Sequence, residues 1–171
     1  MSRLISDYKI RDAFKNEGGK LSELALRSKS IWGYDDSFIE ACRPHIKVDE
    51  KYIQKWPVVV IEKDSELLGF YSLKEIGNEK RLDNLWIEPR YVRSGFGRVL
   101  FENAIERAKE LNWSYFRLAG EPDAIPFYEK MGAKLIGKVQ SRLGEDLFLP
   151  HMEFLIVSER KSENEKQDVL I

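Results

Sequence analysis

Apolar residues along this chain change their spacing several times, and each change marks a new element. Between Lys20 and Ile31, Leu21, Leu24, Ala25 and Ile31 recur at helical intervals before Gly33 closes the run, which predicts a first helix. Upstream, Leu4 to Phe14 places Tyr8 and Ile10 among the polar Arg11 and Asp12, the pattern of a short edge strand. Asp35 or Asp36 is placed to cap a short helix through Ile39 to Arg43 that Pro44 stops, and Asp49 to cap a turn through Tyr52 and Ile53. Past Pro57 the period falls to that of strands. Val58 to Ile61, Leu67 to Leu73 and Leu82 to Ile87 are separated by the polar turns 63–66 and 77–80, which predicts a three-stranded meander ended by Pro89.

From Gly97 to Leu111 the helical period returns. Leu100, Ala104, Ala108 and Leu111 line one face, Val99 and Ile105 widen it, and Asn112 stands at the C-terminal cap. Tyr115 to Ala119 is then a strand, and strand, helix, strand in that order implies a crossover between parallel strands of one sheet. Glu121-Pro122-Asp123 opens a helix carrying Ile125, Phe127, Tyr128 and Met131, which Gly132 ends; Lys134 to Val139 and Met152 to Val157 are expected as closing strands. One domain is expected over 1–158. The charged run 159–171 is expected to be a flexible tail, with Val169-Leu170-Ile171 able to dock.

Composition narrows the function classes. With 171 residues, 43% hydrophobic and 33% charged, the chain has the material for one core. Lys and Arg number 28 against 29 Asp and Glu, so the net charge of −1 provides no general field for nucleic acid or an anionic membrane. Any anion site is local. Cys42 is alone, so neither a disulfide scaffold nor a zinc site is indicated, and no metal is expected. No membrane-length apolar run or signal peptide is recognised, and the expectation is a soluble, cytoplasmic monomer or homodimer.

The segment Arg93-Ser94-Gly95-Phe96-Gly97-Arg98 carries the clearest chemistry. A buried strand passes through it straight into an amphipathic helix, whose first N–H groups have no partner within the helix. Glycines there let a phosphate approach, and the flanking arginines add charge-assisted bonds. A tight turn with glycines needed only for positive φ or close packing is the competing explanation. A Rossmann site lacks its third glycine, and a phosphate-binding P-loop lacks its Lys-Ser/Thr pair.

Strand, proline, then Val92-Arg93-Ser94-Gly95-Phe96-Gly97 resembles the Arg/Gln-x-x-Gly-x-Gly/Ala signature of the GCN5-related N-acetyltransferase superfamily, with Val92 in the first position. Glu121 to Gly132 resembles its second cofactor motif, with Asp123 where Asn is common. The resemblance implies an α/β (α+β) fold. Its mixed, mostly antiparallel sheet of six to seven strands has helices on both faces and splays between Leu82–Ile87 and Tyr115–Ala119. It implies acetyl-coenzyme A as cosubstrate, held at Arg93, Ser94, Gly95, Phe96, Gly97, Arg98 and Asp123, with its pantetheine arm along Leu85, Trp86 and Ile87.

Tyr128 matches the family's general acid, and a phenol suits protonation of a departing thiolate. Arg81 stands where histone-modifying relatives carry a basic glutamate. Asp83, on the expected face of Leu85 and Ile87, and Glu75 are the alternative bases. Trp32, Tyr34 and His151 are candidates for the acceptor pocket, with His151 also a possible base; Cys42 lacks a base partner and is discounted as a nucleophile. The resulting expectation is an N-acetyltransferase moving an acetyl group to a primary amine of a small molecule, amino acid or peptide. A non-catalytic acyl-coenzyme A module and a nucleotide-phosphate binding protein are its rivals.

Overall fold

Alternation along Val58-Val59-Val60-Ile61 organises the molecule, because successive strand residues point to opposite faces. In the computed structural model, which describes residues 7–157, those residues lie in strand β2 (Val58–Lys63), between β1 (Lys9–Asp12) and β3 (Glu66–Ile76). Val58 and Val60 join Phe70 beneath helix α1 (Gly18–Ser30), which contributes Leu21, Leu24 and Ala25. Val59 and Ile61 join the opposite core with Tyr71 and Leu73, covered by α4 (Phe96–Glu110) through Leu100, Phe101, Ala104 and Ala108. Helices thus cover both faces. Fully burying side chains such as Leu100 and Phe101 contributes about 1.5–3 kcal/mol each.

The short helices α2 (Asp36–Cys42) and α3 (Glu50–Lys55) begin at the anticipated aspartates. Asp35 accepts the Phe38 N–H at 2.8 Å and Asp49 the Tyr52 N–H at 2.9 Å. Asn112 (φ 60) and Gly132 (φ 99) take the left-handed conformation that ends a helix. The remaining elements are β4 (Glu79–Ile87), β5 (Tyr115–Ala119), α5 (Ile125–Lys130), β6 (Lys134–Gln140) and β7 (Phe148–Leu155). β7 starts earlier than its apolar run suggests because pairing with β6, Gln140 opposite Phe148, recruits 148–151. The tail 158–171 lies outside the described residues.

All seven strands form one sheet in the order β1-β2-β3-β4-β5-β7-β6, antiparallel everywhere except between β4 and β5. Those parallel strands are matched only at Arg81 opposite Arg117, whereas β3 and β4 run together from Gly69–Ile87 to Ile76–Glu79. Beyond Leu82 the β5-facing edge of β4 therefore has no strand partner among the described residues. Gly69 allows the tight β3–β4 side of this arrangement, since a Cβ there would lie 2.6 Å from the Trp86 carbonyl oxygen.

A bulge changes one sequence expectation. Ser72 faces Asn84 and Leu73 faces Leu82, so Asp83 is the extra residue of β4. The insertion turns its carboxylate away from Leu85 and Ile87, towards Tyr52 on α3. The expected face was wrong because a one-residue bulge inverts the alternation.

Candidate active site

Backbone geometry between β4 and α4 leaves a row of donors uncommitted. A turn at Pro89–Tyr91 ends the strand, and Tyr91, Val92 and Ser94 donate their N–H groups to Glu88, Pro89 and Tyr91 carbonyls at 2.8, 3.2 and 3.1 Å. Arg93 (φ 67) and Gly95 (φ 91) both adopt positive φ, and the first helical bond runs from Val99 N–H to Gly95 O at 3.2 Å. The N–H groups of Gly95, Phe96, Gly97 and Arg98 have no hydrogen-bond acceptor among the described residues. Left-handed residues next to a helix start make a concavity suited to an anion. Packing also uses the glycines: a Cβ on Gly97 would lie 3.3 Å from Phe127 Cζ, and Gly95 satisfies a left-handed φ. The glycines thus serve close packing and a positive φ while the N–H groups beside them stay uncommitted.

Two residues assigned to the cofactor contribute less than expected. Ser94 spends its N–H within the loop and does not line the cleft. The Phe96 ring is buried edge-on to Tyr8 and Tyr91 at 6.0 and 5.9 Å, leaving only its N–H for a ligand. Arg93 makes no ion pair among the described residues, while Arg98 pairs with Glu102 at 2.9 Å and is otherwise solvated.

The donors open on a cleft of about 1010 Å³ at the divergence of β4 and β5. Leu85, Trp86 and Ile87 line one wall, and Leu118, Gly120 and Tyr128 line the other; Asp123 stands near the mouth. The Tyr128 ring is held between Phe127 (5.1 Å), Phe101 (6.1 Å) and the backbone at Gly120. Its hydroxyl makes no hydrogen bond among the described residues, where no fully buried side-chain nitrogen or oxygen lacks a partner. It therefore opens to the cleft. Burial, then the Glu121 carboxylate, push the phenol far above its ordinary pKa, so it remains a proton donor across the physiological range.

The candidate bases separate clearly. Glu75 is solvated at the end of β3, 3.6 Å from Lys80, and does not line the cleft, because β3 is screened from it by β4. Asp83 lines the cleft, but its oxygens accept from Tyr52 Oη (2.6 Å) and Arg142 Nη2 (3.2 Å). His151 lies cross-strand from Ala119, lines the cleft and makes no side-chain hydrogen bond among the described residues. Burial, then Arg117, hold its pKa below 6.5, favouring the neutral imidazole, and Glu79 opposes them.

Trp32 lines the cleft. Tyr34 does not, because its hydroxyl donates to Glu121 Oε2 at 2.5 Å and its ring stacks on Phe38 at 4.5 Å. Cys42 is buried, and burial pushes its thiol pKa up, away from a nucleophilic state. Sequence reasoning missed the Glu121 partner Lys29, a side chain 5% exposed that ion-pairs with Glu121 at 8%. The available signal was Lys29 itself: it lies four residues after Ala25 and eight after Leu21, on the apolar stripe of α1.

A sheet split between parallel neighbours, with an anion cradle at the start of the connecting helix, defines the GCN5-related acetyltransferase class of fold. Residues 26–133 match the family model described as Acetyltransferase (GNAT) family, and the chain belongs to that family. A Bacillus subtilis (strain 168) protein named "Putative ribosomal protein bS18-alanine N-acetyltransferase" is 35% identical over 52 residues, 30% of this chain and 34% of that relative. The match thus spans about a third of the curated relative. Among solved structures, a GCN5-related N-acetyltransferase of Rhodopseudomonas palustris superposes with a TM-score of 0.74 at 18% identity, covering 89% of this chain and 98% of the other. The PaiA N-acetyltransferase of Thermoplasma acidophilum, solved with coenzyme A, gives 0.73 at 23% identity, covering 87% and 99%. At those identities the structural likeness concerns the fold.

Proposed function

We propose that the protein transfers an acetyl group from acetyl-coenzyme A directly to a primary amine of a small molecule, amino acid or peptide. The observation that carries this reading is the uncommitted N–H row from Gly95 to Arg98, opening on the same cleft as the Tyr128 hydroxyl. The residues fit such a cosubstrate. The helix start and Arg93 suit a pyrophosphate, and the free edge of β4 near Leu85 to Ile87 suits the amides of a pantetheine arm.

When bound, acetyl-coenzyme A supplies an acyl carbon activated by sulfur and a thiolate leaving group. His151, kept neutral, accepts a proton from the acceptor ammonium, and the amine nitrogen then bonds to the acyl carbon as the carbon–sulfur bond breaks. Backbone donors polarise the carbonyl, Tyr128 gives its proton to the departing sulfur, and the surplus proton that the new amide nitrogen sheds restores the phenol. The walls hold the reactants together, which itself supplies part of the rate.

Acetyl-coenzyme A and coenzyme A are expected to raise the unfolding midpoint, by about 2.7 kcal/mol of stabilisation at one hundred times the dissociation constant, with ATP much weaker. A response to ATP alone defeats this reading in favour of a nucleotide site. Stabilisation without thiol release across a panel of amines identifies a binding module instead.

Protonation of His151 abolishes its function as base. At saturating acceptor, kcat should therefore fall on acidification with a midpoint below 6.5, and His151→Gln should remove that limb. A limb that survives the substitution rules His151 out. The shift has the same sign for stability: the unfolded chain binds the proton more readily, so this group's contribution is present above 6.5 and is lost as pH falls from there through the lower folded pKa.

A further inference from the structure

Asp83 holds its carboxylate between a tyrosine hydroxyl and an arginine that comes from a loop. The bulge in β4 directs the carboxylate towards Tyr52 in the lining of the cleft, where its side chain is only 8% exposed. Oδ2 is fixed by the Tyr52 hydroxyl at 2.6 Å, and that hydroxyl lies 2.9 Å from Ser72 Oγ and 3.4 Å from Asn84 Nδ2. Oδ1 has a different partner, the guanidinium of Arg142 at 3.2 Å. Arg142 is 52% exposed and belongs to the 141–147 loop between β6 and β7, which the Leu143 side chain anchors against the cluster of Leu26, Ile39 and Cys42.

The two contacts are unequal. Tyr52 is a half-buried donor held by Ser72 and Asn84, whereas a half-solvated arginine makes a weak, exchangeable pair. We propose that Asp83 is the acceptor's cation subsite, that Arg142 fills it in the free protein, and that the preferred acceptor carries a second positive charge several bonds from its reacting nitrogen. Distance along β4 agrees: Leu85 to Ile87, where the pantetheine arm that carries the acyl group is expected, lie two to four residues from Asp83, about 7–13 Å. An ammonium displacing Arg142 keeps the carboxylate paired, and a diamine does this while its second nitrogen reaches further along the cleft, whereas a monoamine satisfies only one of the two places. The inference rests on the acetyl-transfer reading for what happens to the amine, but cation binding at Asp83 can be measured without it.

Calorimetric titration of the full chain with 1,5-diaminopentane and with pentylamine tests this directly. The diamine is expected to bind at least about tenfold more tightly, as befits one charge-assisted hydrogen bond. Asp83→Asn should remove that preference, and Arg142→Ala should strengthen diamine binding by vacating Oδ1. Equal binding of the two amines, a preference that survives Asp83→Asn, or weaker diamine binding in Arg142→Ala each overturns the proposal. Arg142 is half-solvated, so its substitution provides the test even if Asp83→Asn does not fold. A parallel thiol-release assay separates the two readings. A diamine preference without turnover defeats acetyl transfer and spares the subsite, and turnover without a preference does the reverse.

Discussion

Tyr128→Phe is expected to lower kcat by about 10²- to 10⁴-fold, the range of a lost general acid, while the dissociation constant for acetyl-coenzyme A stays near that of the native protein. The ring's fixed position explains the separation of the two effects. Phe101, Phe127 and the backbone at Gly120 hold it, and a phenylalanine retains each of those contacts. Only the hydroxyl is lost, and it makes no hydrogen bond to the described protein, so no internal partner is orphaned. Stability should accordingly change little. Steady-state turnover together with calorimetric titration of acetyl-coenzyme A checks both halves. An unchanged kcat removes Tyr128 from the mechanism, and a large loss of affinity makes it a binding residue instead.

Lys29→Met should destabilise the fold by about 3–5 kcal/mol, lowering the unfolding midpoint on the order of 10 °C. Methionine has a similar reach, so the main loss is charge rather than volume. Glu121 would then keep a buried carboxylate whose remaining side-chain partner is the Tyr34 hydroxyl. Removing one partner of a buried pair leaves the desolvation cost of the other uncompensated. The double variant Lys29→Met, Glu121→Gln should recover most of the loss, because the amide still accepts from Tyr34 and carries no charge to strand. Denaturant unfolding of the single and double variants measures both. A single variant within about 1 kcal/mol of the native protein would mean that Glu121 is relieved by protonation or water, and the proposed cost would fall.

The same pair bears on the active site, because it fastens the end of α1 to the turn after β5. Lys29 and Glu121 are 92 residues apart in sequence, and both line the cleft. Glu121 also adds to the upward shift of Tyr128. Loss of the pair is therefore expected to reach Tyr128 through a wall of the cleft.

Legibility of the site depended on whether its parts were local. The uncommitted N–H groups at the start of α4 could be read directly, since unpaired donors and glycine freedom depend on a few adjacent residues. The caps at Asp35 and Asp49, the left-handed stops at Asn112 and Gly132, and the amphipathic face of α4 were legible for the same reason. Ser94 and Phe96 lie in that readable segment, yet which atoms they offer depended on the loop's own hydrogen bonds and on the rings of Tyr8 and Tyr91. The surroundings of Glu75, Tyr34 and Asp83 could not be read this way, because an intervening strand, the Glu121 carboxylate with the Phe38 ring, and a bulge decide them.

By itself the sequence determined the order and kind of nearly all the elements and the location of the donor loop, because periodicity, capping and backbone freedom act over a turn or a strand. Tertiary structure alone decided that β4 and β5 meet only at Arg81 and Arg117, that a bulge turns Asp83 towards Tyr52 and Arg142, and that Lys29 meets Glu121. Such pairings arise from register between distant segments, where a one-residue shift exchanges the two faces of a strand.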